Sequence, residues 1–205
     1  IEEKNDVVFN DMLSLLIVAN TEKDKSSKSD LRPMTDDEIM GNIRDAFIGG
    51  SETHPKVLEK LRQELDMVFG GDCDRPFTSD DISKLKYCEA VVYETGRMHH
   101  IAHSASRLNT EPDELLGYQW PARSEFIMFF EGGNKNPLYW EDPEVFNPDR
   151  FMKDDKIIKR NFIYFGAGIR QCPGRKLAMI EMIGIIAMLF RKYNVTLMNE
   201  ELHYK

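Results

Sequence analysis

From residue 1 to about residue 99 the apolar positions recur at spacings of three and four, the period of an amphipathic helix. Val7, Val8, Leu15, Leu16 and Ile17 suit a helix over residues 1–19, and the Lys-, Asp- and Ser-rich stretch 20–33 predicts an exposed loop. Thr35-Asp36-Asp37-Glu38 has the form of a capping box, with a hydroxyl N-cap and an acid three residues on. The helix it starts runs through Ile39, Ile43, Phe47 and Ile48 until Pro55 interrupts the pattern. A fresh helix is predicted over 56–69, on Val57, Leu58, Leu61, Leu65 and Val68, with Gly70-Gly71 as its stop. A short capped stretch at 78–85 and a third helix at 87–99, with Val91 and Val92 on its apolar side, complete this region.

Between residues 101 and 130 the texture changes to short runs punctuated by turn residues. Leu115-Leu116-Gly117-Tyr118 and residues 125–130 read as strands. Residues 137–151, rich in Pro, Asp and aromatics, suit neither regular element. A strongly apolar helix follows at 175–193. The pattern therefore predicts a mainly α chain with a small β region, without internal repeats.

Composition narrows the function classes. The 205 residues carry a formal net charge of −8, which argues against nucleic acid as a partner, since phosphate binding needs a basic face. The three cysteines, Cys73, Cys88 and Cys172, lack the spacing of a zinc site. The apolar runs fall short of the ~20 residues that span a bilayer, so no membrane span is expected in this chain. His99, His100 and His103 are close enough in sequence to suggest a shared metal ion, one reading among others.

The densest chemistry lies in Phe165-Gly166-Ala167-Gly168-Ile169-Arg170-Gln171-Cys172-Pro173-Gly174. Two glycines permit a tight turn that brings backbone close to a flat partner. Cys172 precedes a long helix, whose unpaired N–H groups and dipole favour a thiolate, and Arg170 adds a cation. The competing reading is a glycine turn with a buried cysteine acting as a small hydrophobe.

Phe165, Gly168, Arg170, Cys172 and Gly174 together resemble the haem-binding loop of the cytochrome P450 superfamily. Glu94-Thr95-Gly96-Arg97 is similar to the family's Glu-x-x-Arg motif, and Phe146-Asn147-Pro148-Asp149-Arg150-Phe151 to its Pro-Glu-Arg-Phe motif, with Asp149 for Glu. The motifs stand in the family's order. The resemblance implies Cys172 as the axial ligand of the iron of haem b. It implies a buried structural cluster in which Glu94 bridges Arg97 and Arg150. Such a cluster holds net positive charge, so backbone carbonyls must accept its spare N–H groups. Arg107 and Arg170 become candidates for the haem propionates. Ile48-Gly49-Gly50-Ser51-Glu52-Thr53 resembles the oxygen-binding segment, which implies Glu52 and Thr53 as the acid–alcohol pair that delivers protons.

The resemblance spans about residues 34–198, so residues 1–205 read as a single, partial cytochrome P450 domain, roughly the C-terminal half of a complete member. Thr53 runs straight into His54-Pro55, where the family's central helix usually continues for several turns. His100 replaces a usual proline, Gly96 a common leucine, and Asn134 a frequent histidine.

The implied activity is that of a haem-thiolate monooxygenase, which inserts one atom of dioxygen into a small apolar organic substrate and reduces the other to water. A catalytically inactive haem-binding fragment or interaction module, and a haem-thiolate isomerase or dehydratase, are the alternatives. Between residues 153 and 192 nine basic side chains face three acidic ones. With the resemblance, this predicts an electron donor, either an NADPH-dependent flavoprotein reductase or a ferredoxin type. A cytoplasmic-side location is expected, with association to the endoplasmic reticulum membrane in a full-length form.

Overall fold

The computed structural model describes residues 54–72, 74–100, 102–153, 158 and 161–194. The helices predicted at 1–19 and after Thr35, the pair Glu52 and Thr53, and Cys73 lie outside the described residues. The elements are α1 (Pro55–Phe69), α2 (Ser79–Ile82), α3 (Lys86–Met98), β1 (Ser104–Leu108), β2 (Asp113–Leu115), β3 (Tyr118–Trp120), β4 (Glu125–Phe129), α4 (Phe130–Asn134), α5 (Asp149–Met152) and α6 (Arg175–Lys192). The chain is thus mainly α with a small β region. It divides into two compact units, residues 1–92 with 173–205, and residues 93–172.

In the first unit α1 starts with Pro55 at a position whose N–H has no intrahelical partner, and ends at Gly70 in the left-handed conformation. Its apolar stripe, Leu61, Leu65 and Phe69, is buried. Both α1 and α2 pack on α6, which buries Met179, Ile183, Ile186 and Phe190. Two polar devices fix the connections. The Glu64 carboxylate accepts the backbone N–H groups of Tyr87 (2.6 Å) and Cys88 (2.9 Å), capping α3 from outside its own sequence. Asp81 accepts the N–H and hydroxyl of Thr78 and a forked pair of bonds from Arg75. That partner holds the Asp81 carboxyl down at about 2.

The second unit holds two separate two-stranded antiparallel sheets. β1 pairs with β4 in the register Ser104 opposite Phe129 through Leu108 opposite Glu125, and β2 pairs with β3. The expected single strand at Leu115–Tyr118 is instead a hairpin tip. Leu116 (φ 55°) and Gly117 (φ 79°) both lie in the left-handed region, the backbone that a two-residue turn matched to strand twist requires. The expected strand over 125–130 stops at Phe129, and the chain turns into α4. Few side chains cover these sheets, and Leu116, Tyr118, Ile127 and Phe129 are exposed.

Candidate functional site

Two groups of predicted residues come together in the second unit. The first surrounds Glu94, which the helical rise of α3 places one turn before Arg97. Arg97 Nε and Nη2 donate to the two Glu94 carboxylate oxygens at 2.8 and 2.9 Å. Arg150, carried to the same spot by α5, donates from Nε to Glu94 Oε1 at 3.1 Å. The Asn147 N–H adds a bond of 2.8 Å to that oxygen. Glu94 and Arg97 are fully buried and Arg150 nearly so.

One carboxylate and two guanidiniums leave an excess positive charge out of water, which is costly unless every N–H finds an acceptor. Backbone carbonyls supply them, as the charge balance predicts. Arg97 reaches Asn134 O (3.0 Å) and Val145 O (3.4 Å), and Arg150 reaches Glu141 O (3.0 Å) and Val145 O (3.2 Å). The irregular stretch between α4 and α5 is thereby shaped around two guanidiniums. Trp140 lies against Arg97, its ring centroid 5.4 Å from the guanidinium carbon, and Phe151, Phe162 and Tyr93 extend the interior as edge-to-face and tilted rings.

The second group is the cysteine loop. In the tight turn expected from the two glycines, Gly166 (φ 73°) and Gly168 (φ 66°) both take left-handed backbone. Gly168–Arg170 forms one turn of 3-10 helix. The Cys172 N–H then donates back to Phe165 O at 2.8 Å, closing the loop on itself. Cys172 is exposed and free of any disulfide, which rules out the buried small-hydrophobe reading. Cys88 is its opposite: burial pushes that thiol's pKa well up and keeps it protonated. Arg170 is exposed on the loop, and Gly174 is the N-cap of α6.

Arg107 is not joined to either group by a hydrogen bond. It lies on β1 opposite Phe126, exposed, and its Nη1 donates to the carbonyl of neighbouring Ser106 at 2.7 Å. Of the three histidines, His100 is buried, while exposed His103 pairs with Glu131 at 2.8 Å. No group of three metal-ligating side chains occurs among the described residues.

The cysteine-loop donors suit a large flat cofactor bound through a metal. The thiol is free and solvent-facing. Its backbone N–H is already committed, and a Cβ on Gly168 would meet nothing within 4 Å, so that side of the loop is open. The sequence matches the cytochrome P450 family model over residues 3–203. The chain belongs to the cytochrome P450 family. Among curated relatives, it is 33% identical over 201 residues to cytochrome P450 85A2 of Arabidopsis thaliana, covering 90% of this chain and 41% of that protein. It is 32% identical to 3,9-dihydroxypterocarpan 6A-monooxygenase of Glycine max, over 83% of this chain and 36% of that one. Trans-cinnamate 4-monooxygenase of Ruta graveolens is 37% identical over 62% of this chain and 26% of its own. The chain thus spans roughly a quarter to two fifths of the length of these P450 relatives. Haem is the family's cofactor, and the open face and free thiol of the Cys172 loop fit it.

Proposed function

We propose that this chain carries the cofactor-binding part of a haem-thiolate monooxygenase acting on a small apolar organic substrate, with Cys172 as axial ligand of haem b. The observation that carries this reading is the closed, solvent-facing Cys172 loop, supported from the same unit by the Glu94–Arg97–Arg150 cluster. Bound haem would supply the oxygen chemistry, and Cys172 as a thiolate would tune it by donating electron density to the iron.

The chain's residues have narrower tasks. Cys172 presents sulfur on a loop whose backbone is fixed by its own N–H. Arg170 and Arg107, as forked donors, are assigned the two carboxylates of the cofactor. Arg107 must first exchange its bond to Ser106 O for that role. Glu94, Arg97 and Arg150 are structural, holding the segment between α4 and α5 in one shape. Glu52 and Thr53 are assigned proton delivery, with Glu52 as the acid and the Thr53 hydroxyl as the relay.

Electrons are assigned to an acidic donor, a flavoprotein reductase or a ferredoxin. Lys153, Arg170, Arg175 and Lys176 of the basic stretch are exposed and available to it. Electron-transfer rates that fall with ionic strength would support this, and salt-insensitive rates would count against it. Among the described residues no helix is long and apolar enough to cross a membrane; a full-length form is assigned to the cytoplasmic side of the endoplasmic reticulum membrane.

The absorption spectrum of the haem-reconstituted, reduced, carbon monoxide-bound chain tests the ligand. A strongly red-shifted Soret band that is lost in Cys172→Ala is expected, and a folded chain that takes up no haem overturns the reading. A second reading, a haem-binding piece without turnover, is favoured by the apolar side chains left uncovered on the two sheets. NADPH-dependent product formation after adding a reductase separates the two.

A further inference from the structure

Beyond the motifs, one buried polar group links the Glu94 cluster to the cysteine loop. His100, just past α3, and Asn134, the last residue of α4, are both buried and meet side chain to side chain. Between them they grip one peptide unit, that of Ile163. Asn134 Oδ1 faces Ile163 N at 3.4 Å, Asn134 Nδ2 faces Ile163 O at 3.5 Å, and His100 Nε2 lies 3.1 Å from the same carbonyl.

Asn134 is anchored in turn, since its backbone carbonyl accepts Arg97 Nη1 at 3.0 Å. On the other side, Ile163 leads into Tyr164 and Phe165. The Tyr164 ring packs edge-on to His100, with centroids 5.8 Å apart, and lies over Gly96, where a Cβ would come within 2.6 Å of it. The Phe165 carbonyl is the one that receives the Cys172 N–H. We propose that His100 and Asn134 are positioning residues, a clasp on the Ile163 peptide that fixes the segment 163–165 and, through the Phe165 carbonyl, the placement of Cys172. This rests on the reading of Cys172 as the ligand-bearing residue.

The hydrogen count selects one protonation state. Asn134 has two N–H donors and one carbonyl acceptor. With Nε2 unprotonated, one N–H goes to His100 Nε2 (2.9 Å), the other points to Ile163 O, and the side-chain oxygen takes the Ile163 N–H. The proton of the imidazole then sits on Nδ1, and the Gly96 carbonyl is a further acceptor beside the ring. His100 Nε2 and the Ile163 carbonyl, 3.1 Å apart, then face each other as two acceptors, held together by the Asn134 amide that donates to both. A second proton on Nε2 confronts the amide N–H across 2.9 Å, and Asn134 must turn over and release the Ile163 N–H. Burial favours the neutral ring, pushing His100 below the ordinary histidine range, against the pull of the Ile163 and Gly96 carbonyls and the more distant Glu131; His103 acts with the burial. The clasp is therefore closed at neutral pH. It opens as pH falls below the ordinary histidine value, about 6.5.

Backbone hydrogen exchange by mass spectrometry on the full chain, in a Cys73→Ser background, tests this beside the rate of Cys172 alkylation by iodoacetamide. His100→Leu is expected to speed exchange in residues 163–172 about tenfold and alkylation several-fold, with α1 and α6 unchanged. His100→Gln, which can accept from Asn134 or donate to Ile163 O, restores most of the protection. Asn134→Asp, nearly isosteric, removes the donors and should match His100→Leu. In the wild type, protection of 163–172 relative to α1 should drop as pH falls from 7 to 5, and in His100→Gln it should not.

Unchanged exchange at 163–172 in both His100→Leu and Asn134→Asp overturns the clasp, as does an equal rise throughout the chain or a pH response that survives in His100→Gln. These readouts need no haem. A wild-type chain without a red-shifted carbon monoxide band sinks the ligand assignment while leaving the exchange result to decide the clasp.

Discussion

Leu61, Leu65, Ile186 and Phe190 fill the interior of the first unit with side chains that have no polar atom, whereas in residues 93–172 the most deeply buried side chains include Glu94 and Arg97. The two interiors respond differently to change. An apolar core is held by area removed from water and by close packing, neither of which specifies one partner, so a swap of similar volume usually costs under ~1.5 kcal/mol. A buried ionic core is specified group by group. Every guanidinium nitrogen of Arg97 and Arg150 has at least one acceptor, and removing a single acceptor exposes the cost of the rest. The second unit gains a defined shape for a stretch without regular structure, at the expense of tolerance.

The largest break in that comparison is Glu94→Ala. It leaves two guanidiniums buried without their carboxylate, which should cost about 3–5 kcal/mol. Urea unfolding measures the total, and hydrogen exchange should show the loss concentrated in residues 93–172. A loss under about 1 kcal/mol would mean that the carbonyl acceptors alone sustain both arginines.

In the first unit Ile186→Ala removes a fully buried side chain of α6. A cost of about 2–4 kcal/mol is expected from lost burial and the cavity left behind. Here Ile186→Leu should recover most of it. No such rescue is expected for Glu94→Gln, which keeps the volume and loses the charge. Equal recovery in both would remove the distinction between the two interiors.

Of the two polar joints of the first unit, the one at Asp81 makes stability depend on pH. Asp81 is held at about 2 by Arg75 and the Thr78 donors, against about 3.9 for an unfolded aspartate. A depressed carboxylate contributes stability that is present above the unfolded value and disappears as pH falls toward the folded one. Roughly 2 kcal/mol should be lost between pH 5 and pH 2. Asp81→Asn should be weaker than wild type at pH 6 and nearly equal to it near pH 2, measured by urea titration across that range.

The sequence revealed the two units unequally, for physical reasons. The helices α1, α3 and α6 announced themselves through period and stops, because burying one face imposes a repeat on the sequence. Glu94, Arg97, Arg150 and Cys172 were readable through motifs. What stayed hidden depends on residues far apart in sequence. Glu64 reads as one more polar residue on an amphipathic helix, yet it caps α3 twenty-three residues on. Leu116-Gly117 read as strand because leucine is seldom found at positive φ, and only pairing between β2 and β3 forces the turn. Asn134 and His100 stood out as departures from a family pattern, but nothing local says that they meet over Ile163. Arg107 is singled out by the family resemblance alone, which carries no sign of its bond to Ser106 O.

Gly96→Ala is the smallest expected effect and the one whose sign discriminates best. Gly96 stands in the last turn of α3, where alanine is better than glycine by at most the helix-interior value of about 0.8–1 kcal/mol, so on local grounds the change stabilises α3. Tertiary structure opposes it, because a Cβ at residue 96 would lie 2.6–2.7 Å from three carbons of the Tyr164 ring. Real side chains do not approach that closely, so either the ring or the helix must move. Overpacking of this kind costs about 1–3 kcal/mol, and a net destabilisation of about 1 kcal/mol should remain. In a Tyr164→Leu background the clash is relieved, and the same Gly96→Ala change should become stabilising. The reversal isolates the contact from helix propensity. Failure of the sign to change between the two backgrounds, measured by urea unfolding, would show that Tyr164 does not press on α3. The glycine would then need some other reason to stand between Glu94 and Arg97, the two residues whose spacing on the helix sets the ionic core.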